Sequence, residues 1–131
     1  MEHKTIIVDS SFLVAFYITN DSQHVVAVNT VRKLAGIEKT LVIHPYVIQE
    51  VATILTYRVG VALAISFLDD ITVSERVIIP TVNTEQEIEF FRRIGRKMSF
   101  VDTALVNVAR QMRAAVLTFD KQILSLLRSV A

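Results

Sequence analysis

Asp9, Glu50, Asp102 and Asp120 are far apart in the chain, but each falls where a strand ends or a helix begins. Each has an ordinary use when taken singly. Asp9 could cap a first helix, Glu50 could pair with a surface cation, Ser99 and Asp102 could cap one helix between them, and Asp120 could open another. Taken together they mean more, because carboxylates converging on one crevice repel by several kcal/mol per close pair unless protons or cations intervene. An all-oxygen donor set, with no cysteine in the chain and no histidine beside it, selects a hard divalent cation, Mg²⁺ or Mn²⁺, over zinc. One or two such ions keep waters and open positions, which suits hydrolysis of a phosphodiester by metal-activated water. Ser11, two residues after Asp9, and Thr118, two before Asp120, are hydroxyls able to support a carboxylate or a bound water; alone, each is an ordinary turn or strand residue.

The elements that must position these side chains are legible as alternating strands and helices. Thr5-Ile6-Ile7-Val8 is a short β-branched strand broken by Asp9-Ser10-Ser11, with a helix expected from Phe12 to Tyr17. A second helix runs through Val25, Val28, Val31 and Leu34 to Gly36. Leu41 to His44 reads as the second strand, and Pro45 fits the first turn of a helix carrying Val47, Ile48, Val51, Ile54 and Leu55. The apolar segment Val59 to Leu68 is expected to stop at Asp69-Asp70. Val77-Ile78-Ile79 is a weak third strand, and Thr84-Glu85-Gln86-Glu87 reads as a capping box for a helix ending at Ile94, before Gly95.

Val101, Ala104, Leu105, Val108, Ala109 and Met112 keep strict helical spacing; Val116 to Phe119 is the last strand, and a closing helix runs through Ile123, Leu124 and Leu127. At 100° per residue, Asp102 and Glu50 both fall on the margins of their apolar stripes. Alternation of this kind implies right-handed crossovers and an α/β fold with a mostly parallel sheet, whose ligands bind at the carboxyl ends of the strands. Residues 1–131 read as a single domain without repeats or linkers.

Composition removes several classes. The 52% apolar content suits a sheet covered on both faces with surplus for an oligomer interface. No apolar stretch approaches the roughly 20 residues of a membrane span, and Met1-Glu2-His3-Lys4 does not open a signal peptide. A net charge of +1 and a pI near 8.1 exclude binding of nucleic acid by bulk charge, so a polyanion must meet a local patch. Arg92, Arg93, Arg96 and Lys97 form the densest such run, joined by Arg110 and Arg113; they could steer RNA phosphates, or simply solvate a helix face. His3, His24 and His44 are not expected to be ligands.

The chain resembles the PIN-domain ribonucleases, above all the VapC-type toxins of VapBC toxin–antitoxin pairs. The resemblance rests on Ile7-Val8-Asp9-Ser10-Ser11, on Pro45 to Val51, on Ser99-Phe100-Val101-Asp102 leading to Ala109, and on Leu117-Thr118-Phe119-Asp120. It implies a three-layer PIN-like sandwich with a sheet of four to five strands. It also implies a Mg²⁺ or Mn²⁺ site at Asp9, Glu50, Asp102 and Asp120 with Ser11 and Thr118 beside it, an RNA substrate, a homodimer, an antitoxin over the cleft and a cytoplasmic location. Asp21-Ser22-Gln23-His24 is similar to the family's acidic start to the second helix, and is equally a helix cap. Arg113-Ala114-Ala115 departs from the family where a glycine is usual, and Phe119 where a basic residue is common.

Rival readings differ from this one at named residues. A phosphate-accepting receiver domain would need adjacent acids after the first strand, where Ser10 follows Asp9. A nucleotide switch would need a glycine-rich loop, and the chain has only 3 glycines. A non-catalytic interaction module, or a PIN protein processing RNA without an antitoxin, keeps the same fold and is separated by metal titration and by activity.

Overall fold

The computed structural model describes residues 3–130; Met1, Glu2 and Ala131, and with them the start of the Met1-Glu2-His3-Lys4 run, lie outside the described residues. Four short strands, β1 (Thr5–Val8), β2 (Thr40–Val42), β3 (Val77–Ile78) and β4 (Ala115–Leu117), form one parallel sheet in the order β3-β2-β1-β4. Ile7 stands opposite Val42 on one side and Val116 on the other. These β-branched stretches are apolar on both faces because helices cover both. The helices are α1 (Ser10–Tyr17), α2 (His24–Ala35), α3 (Pro45–Arg58), α4 (Val61–Val73), α5 (Thr84–Ile94), α6 (Phe100–Met112) and α7 (Lys121–Val130). The α/β class expected from the sequence, a parallel sheet of four to five strands flanked by helices, is the one observed.

Strand order decides where a site can form. β1, β2 and β3 step toward one edge of the sheet, and the connection from β3 to β4 returns past β1 to the other edge. Right-handed crossovers running in opposite directions lay their helices on opposite faces. The winding therefore reverses between β1 and β4, and the chains diverge there to leave a crevice at the strands' carboxyl ends. On one face Val8, Leu41, Ile43 and Leu117 border an apolar cavity of about 410 Å³ with residues of α1, α2 and α4. On the other, α6 packs on β1 and β4 with Leu105, Val106 and Ala109 buried, and α7 closes over it with Ile123 and Leu126.

The structure corrects several boundaries. α1 begins at Ser10, not Phe12, and β2 ends at Val42, leaving His44 to cap α3 with its ring accepting the Tyr46 N–H. α4 does not stop at Asp69-Asp70 but continues to Val73, and the Asp70 carboxylate accepts the hydroxyl of Tyr17, on α1, at 2.6 Å. α5 is capped by Asn83, whose side chain accepts the Gln86 N–H, so Thr84 and Glu87 form no capping box. Gly95 takes the left-handed conformation (φ 61°) that ends α5. The glycine expected before β4 is replaced by Arg113, which adopts the left-handed conformation itself at φ 53°.

Candidate active site

Asp9 is placed by the sheet. Its N–H donates to the Leu117 carbonyl at 3.0 Å, extending the β1–β4 pairing by one residue, and this brings Ser11 and Thr118 alongside its carboxylate. Although Asp9 occupies the cap position of α1, its side chain makes no capping bond. Instead Oδ2 accepts the Thr118 hydroxyl at 2.6 Å and the Ser11 hydroxyl at 2.9 Å. Each hydroxyl is polarised in turn by a backbone amide: Phe119 N–H donates to Ser11 Oγ and Asp120 N–H to Thr118 Oγ1. Such chains strengthen cooperatively. Oδ2 is thereby saturated, while Oδ1 has only a 3.5 Å contact with Ser10 Oγ. The carboxylate is 3% exposed and held with one oxygen committed and the other spare.

The other three acids arrive on separate elements. Ser99 caps α6 by accepting the Asp102 N–H at 3.0 Å, which puts Asp102 in the first turn with its carboxyl half-buried. Glu50 comes from α3, and Asp120 follows β4 with one oxygen accepting the Gln122 N–H at 2.8 Å. The local capping uses considered for Asp102 and Asp120 are thus real, and the cavity position is additional to them. All four line one cavity of about 480 Å³, with Ser10, Ser11, Ser99 and Phe119. Asp21 joins them, although its carboxylate is also used locally by the Gln23 N–H.

The electrostatics record the crowding. Burial pushes the Asp102 carboxyl up to about 6, opposed by the Ser99 hydroxyl and reinforced by the charges of Asp9, Asp120 and Glu50. Glu50 is raised above the ordinary carboxylate range by partial burial first and by Asp9 second, with the Ser10 hydroxyl pulling the other way. Both acids therefore sense Asp9 across the cavity.

No three His, Asp or Glu side chains among the described residues stand close enough to form a ready-made metal cage. The donor set does fit a hard cation held by a few carboxylates and completed by water: the cavity is lined by oxygen donors, with no histidine, lysine or arginine among its lining residues. Ser11 and Thr118 face Asp9 rather than a ligand. Arg92, Arg93, Arg96 and Lys97 are exposed and line no part of the cavity. Arg92 lies 3.6 Å from Glu89, Arg93 sits over the Phe90 ring, and Arg96 donates to Ser129. His24 is tied to the Ala15 carbonyl at 2.8 Å and His3 to that of Arg113, which uses their rings structurally. The apolar cavity over the sheet is chemically different: its charged lining is Lys39, Asp70 and Arg76, of which Asp70 serves Tyr17 and Arg76 binds carbonyls at the end of α2.

With this geometry in hand, the comparisons decide the family. A family model described as the PIN domain matches residues 6–127. The chain belongs to the PIN domain family. Among solved structures it is similar to Mycobacterium tuberculosis VapC20, described as a sarcin-ricin loop cleaving toxin, with a TM-score of 0.77 and 24% identity over 92% of this chain and 94% of that one. At that identity the likeness shows a shared PIN fold. A search of curated proteins found no match. No helix among the described residues is long and apolar enough to cross a membrane.

Two features of the PIN domain were not foreseen from the sequence. One is a buried bond between His44 and Glu87, 43 positions apart, for which no local signal exists. The other is the fate of Asp21, whose Asp-Ser-Gln-His context had two equal interpretations; the structure gives the carboxylate both a turn bond and a place at the cavity.

Proposed function

We propose that this PIN domain is an endoribonuclease that hydrolyses RNA phosphodiester bonds at a Mg²⁺- or Mn²⁺-dependent site formed by Asp9, Glu50, Asp102 and Asp120, and that it is the toxin of a toxin–antitoxin pair. One observation carries the reading: four carboxylates from four elements line a single cavity at the point where the sheet's winding reverses. Nothing about stability favours that arrangement, since Asp102 and Glu50 are each made harder to ionise by it. The fold shared with a toxin described as cleaving the sarcin-ricin loop supports a nuclease reading.

When bound, one or two such ions supply charge neutralisation at the phosphate and acidify water for attack. The chain's own groups hold and orient. Asp9, locked by Ser11 and Thr118 through Oδ2, keeps Oδ1 largely uncommitted and would help hold the ion. Glu50, Asp102 and Asp120 would complete the carboxylate set, and the raised Asp102 carboxyl would have to lose its proton for a cation to be held there. Arg92, Arg93, Arg96 and Lys97 contribute at a distance, drawing the RNA backbone toward a cavity they do not enter. Exposed apolar side chains at the α3–α4 corner, with Tyr57 86%, Val59 58% and Val61 62% exposed, supply surface for a homodimer, and a cognate antitoxin would act by covering the cavity.

The test is cleavage of a mixed RNA pool by the purified chain with Mg²⁺ or Mn²⁺, with a chelator, and by Asp9→Asn. That substitution removes one charge at nearly constant shape. Cleavage is expected for the wild type with metal only, and not for the variant; equal cleavage by both proteins rejects the assigned site. A chain that folds and binds no cation is the non-catalytic module instead.

A further inference from the structure

Outside the cavity, a buried and fully hydrogen-bonded polar network joins α3 to α5. His44 and Glu87 are 0% and 2% exposed, and His44 Nε2 lies 2.6 Å from Glu87 Oε2. The second Glu87 oxygen accepts the Tyr46 hydroxyl at 2.7 Å, and the Tyr46 N–H donates to His44 Nδ1 at 3.0 Å. Because Nδ1 accepts a backbone proton, the ring proton sits on Nε2, which donates to Glu87. Every site is used: both carboxylate oxygens and both ring nitrogens have partners. Placing such a network in the core is expensive, and apolar side chains of similar volume would often stabilise as well or better. What directional bonds add over apolar packing is a fixed register between the elements that carry them.

The elements joined are the ones that carry the cavity acids. His44 caps α3 and Tyr46 lies in its first turn; Glu50, one helical turn further along, shares the face of Tyr46. The Tyr46 ring contacts Phe100 with centroids 6.1 Å apart, and Phe100 in turn contacts Phe91 of α5 at 5.5 Å. Phe100 is the first residue of α6, between the cap Ser99 and the acid Asp102. The bonds and rings together tie the beginnings of α3 and α6 to α5, through Glu87 and Phe91, while none of His44, Tyr46 or Glu87 lines the cavity.

We propose that His44, Tyr46 and Glu87 are positioning residues that set the spacing between Glu50 and Asp102 against their mutual repulsion, so that cation affinity and turnover depend on a network that touches neither cation nor RNA. This rests on the reading of the cavity as a cation site. The experiment compares the wild type with Tyr46→Phe, which deletes one hydroxyl, with Glu87→Gln, which keeps the shape and one of the two acceptor oxygens while removing the charge, and with Glu87→Ala. Asp9→Asn serves as the control. Mn²⁺ affinity is measured by electron paramagnetic resonance, kcat and KM on one RNA, and folded fraction by circular dichroism. The expected result is a 10- to 100-fold fall in Mn²⁺ affinity or kcat for Tyr46→Phe, at unchanged KM for RNA and full folding, with a smaller fall for Glu87→Gln than for Glu87→Ala. If Asp9→Asn loses Mn²⁺ while Tyr46→Phe and Glu87→Gln bind and turn over like wild type per folded molecule, whatever their melting temperatures, this inference falls and the nuclease reading stands. A wild type that binds no Mn²⁺ overturns both.

Discussion

Asp102→Asn should change how stability responds to pH, and in an unusual direction for an acidic residue. In the cation-free fold the Asp102 carboxyl is raised from 3.8 to about 6, chiefly by burial. Since its folded pKa lies above its unfolded one, the native state binds the proton more tightly. The associated stability is therefore fully present below about pH 3.8 and is lost as pH rises through about 6. At about 1.4 kcal/mol per pKa unit this rise corresponds to about 3 kcal/mol over its full range, and solvent screening of a half-buried group reduces that to about 1–2 kcal/mol. Urea unfolding in a chelating buffer at pH 7.5 and pH 5 measures it. The wild-type chain should gain about 0.5–1 kcal/mol relative to Asp102→Asn as pH falls between those values, the rest appearing only below pH 5, and the variant should be the more stable of the two at pH 7.5. Saturating Mg²⁺ should abolish the difference in slope, since a cation satisfies the ionised form. Parallel pH profiles for the two proteins without metal would refute the reasoning, because they would mean that Asp102 does not feel the cavity.

Two further substitutions probe the scaffold of the site. Thr118→Val keeps shape but removes the 2.6 Å bond to Asp9 and the acceptor for the Asp120 N–H; it should cost about 1–3 kcal/mol in urea unfolding and reduce RNA cleavage by at least about tenfold. Arg113→Gly should do the opposite for stability alone, raising it by about 0.5–1 kcal/mol in thermal unfolding because arginine is held at φ 53° before β4, with cleavage unchanged.

Much of this fold is written locally. β1 is an unbroken β-branched run, and α6 keeps its apolar spacing from Val101 to Met112 behind a Ser99 cap that the structure contains as expected. The candidate acids were legible because strand ends and first helical turns are recognisable in sequence, and an α/β sheet gathers its strand ends on one edge. What escaped was decided by partners distant in the chain. Asp9 looks like a cap until Thr118, 109 positions away, takes its carboxylate. Glu87 imitates a capping box, yet its partners lie on α3. Asp69-Asp70 reads as a stop, but α4 runs on through both, and Asp70 takes the hydroxyl of Tyr17 from α1, 53 positions earlier. Arg113 shows the converse: the backbone demand for a left-handed residue before β4 stayed, although the glycine that usually meets it did not.

The most direct measurement is Mn²⁺ binding to the purified chain by electron paramagnetic resonance, with Asp9→Asn, Glu50→Gln, Asp102→Asn and Asp120→Asn measured beside the wild type. Saturable binding to the wild type that weakens in every one of the four variants is the predicted result. Binding that is absent, or that survives all four substitutions unchanged, would contradict it.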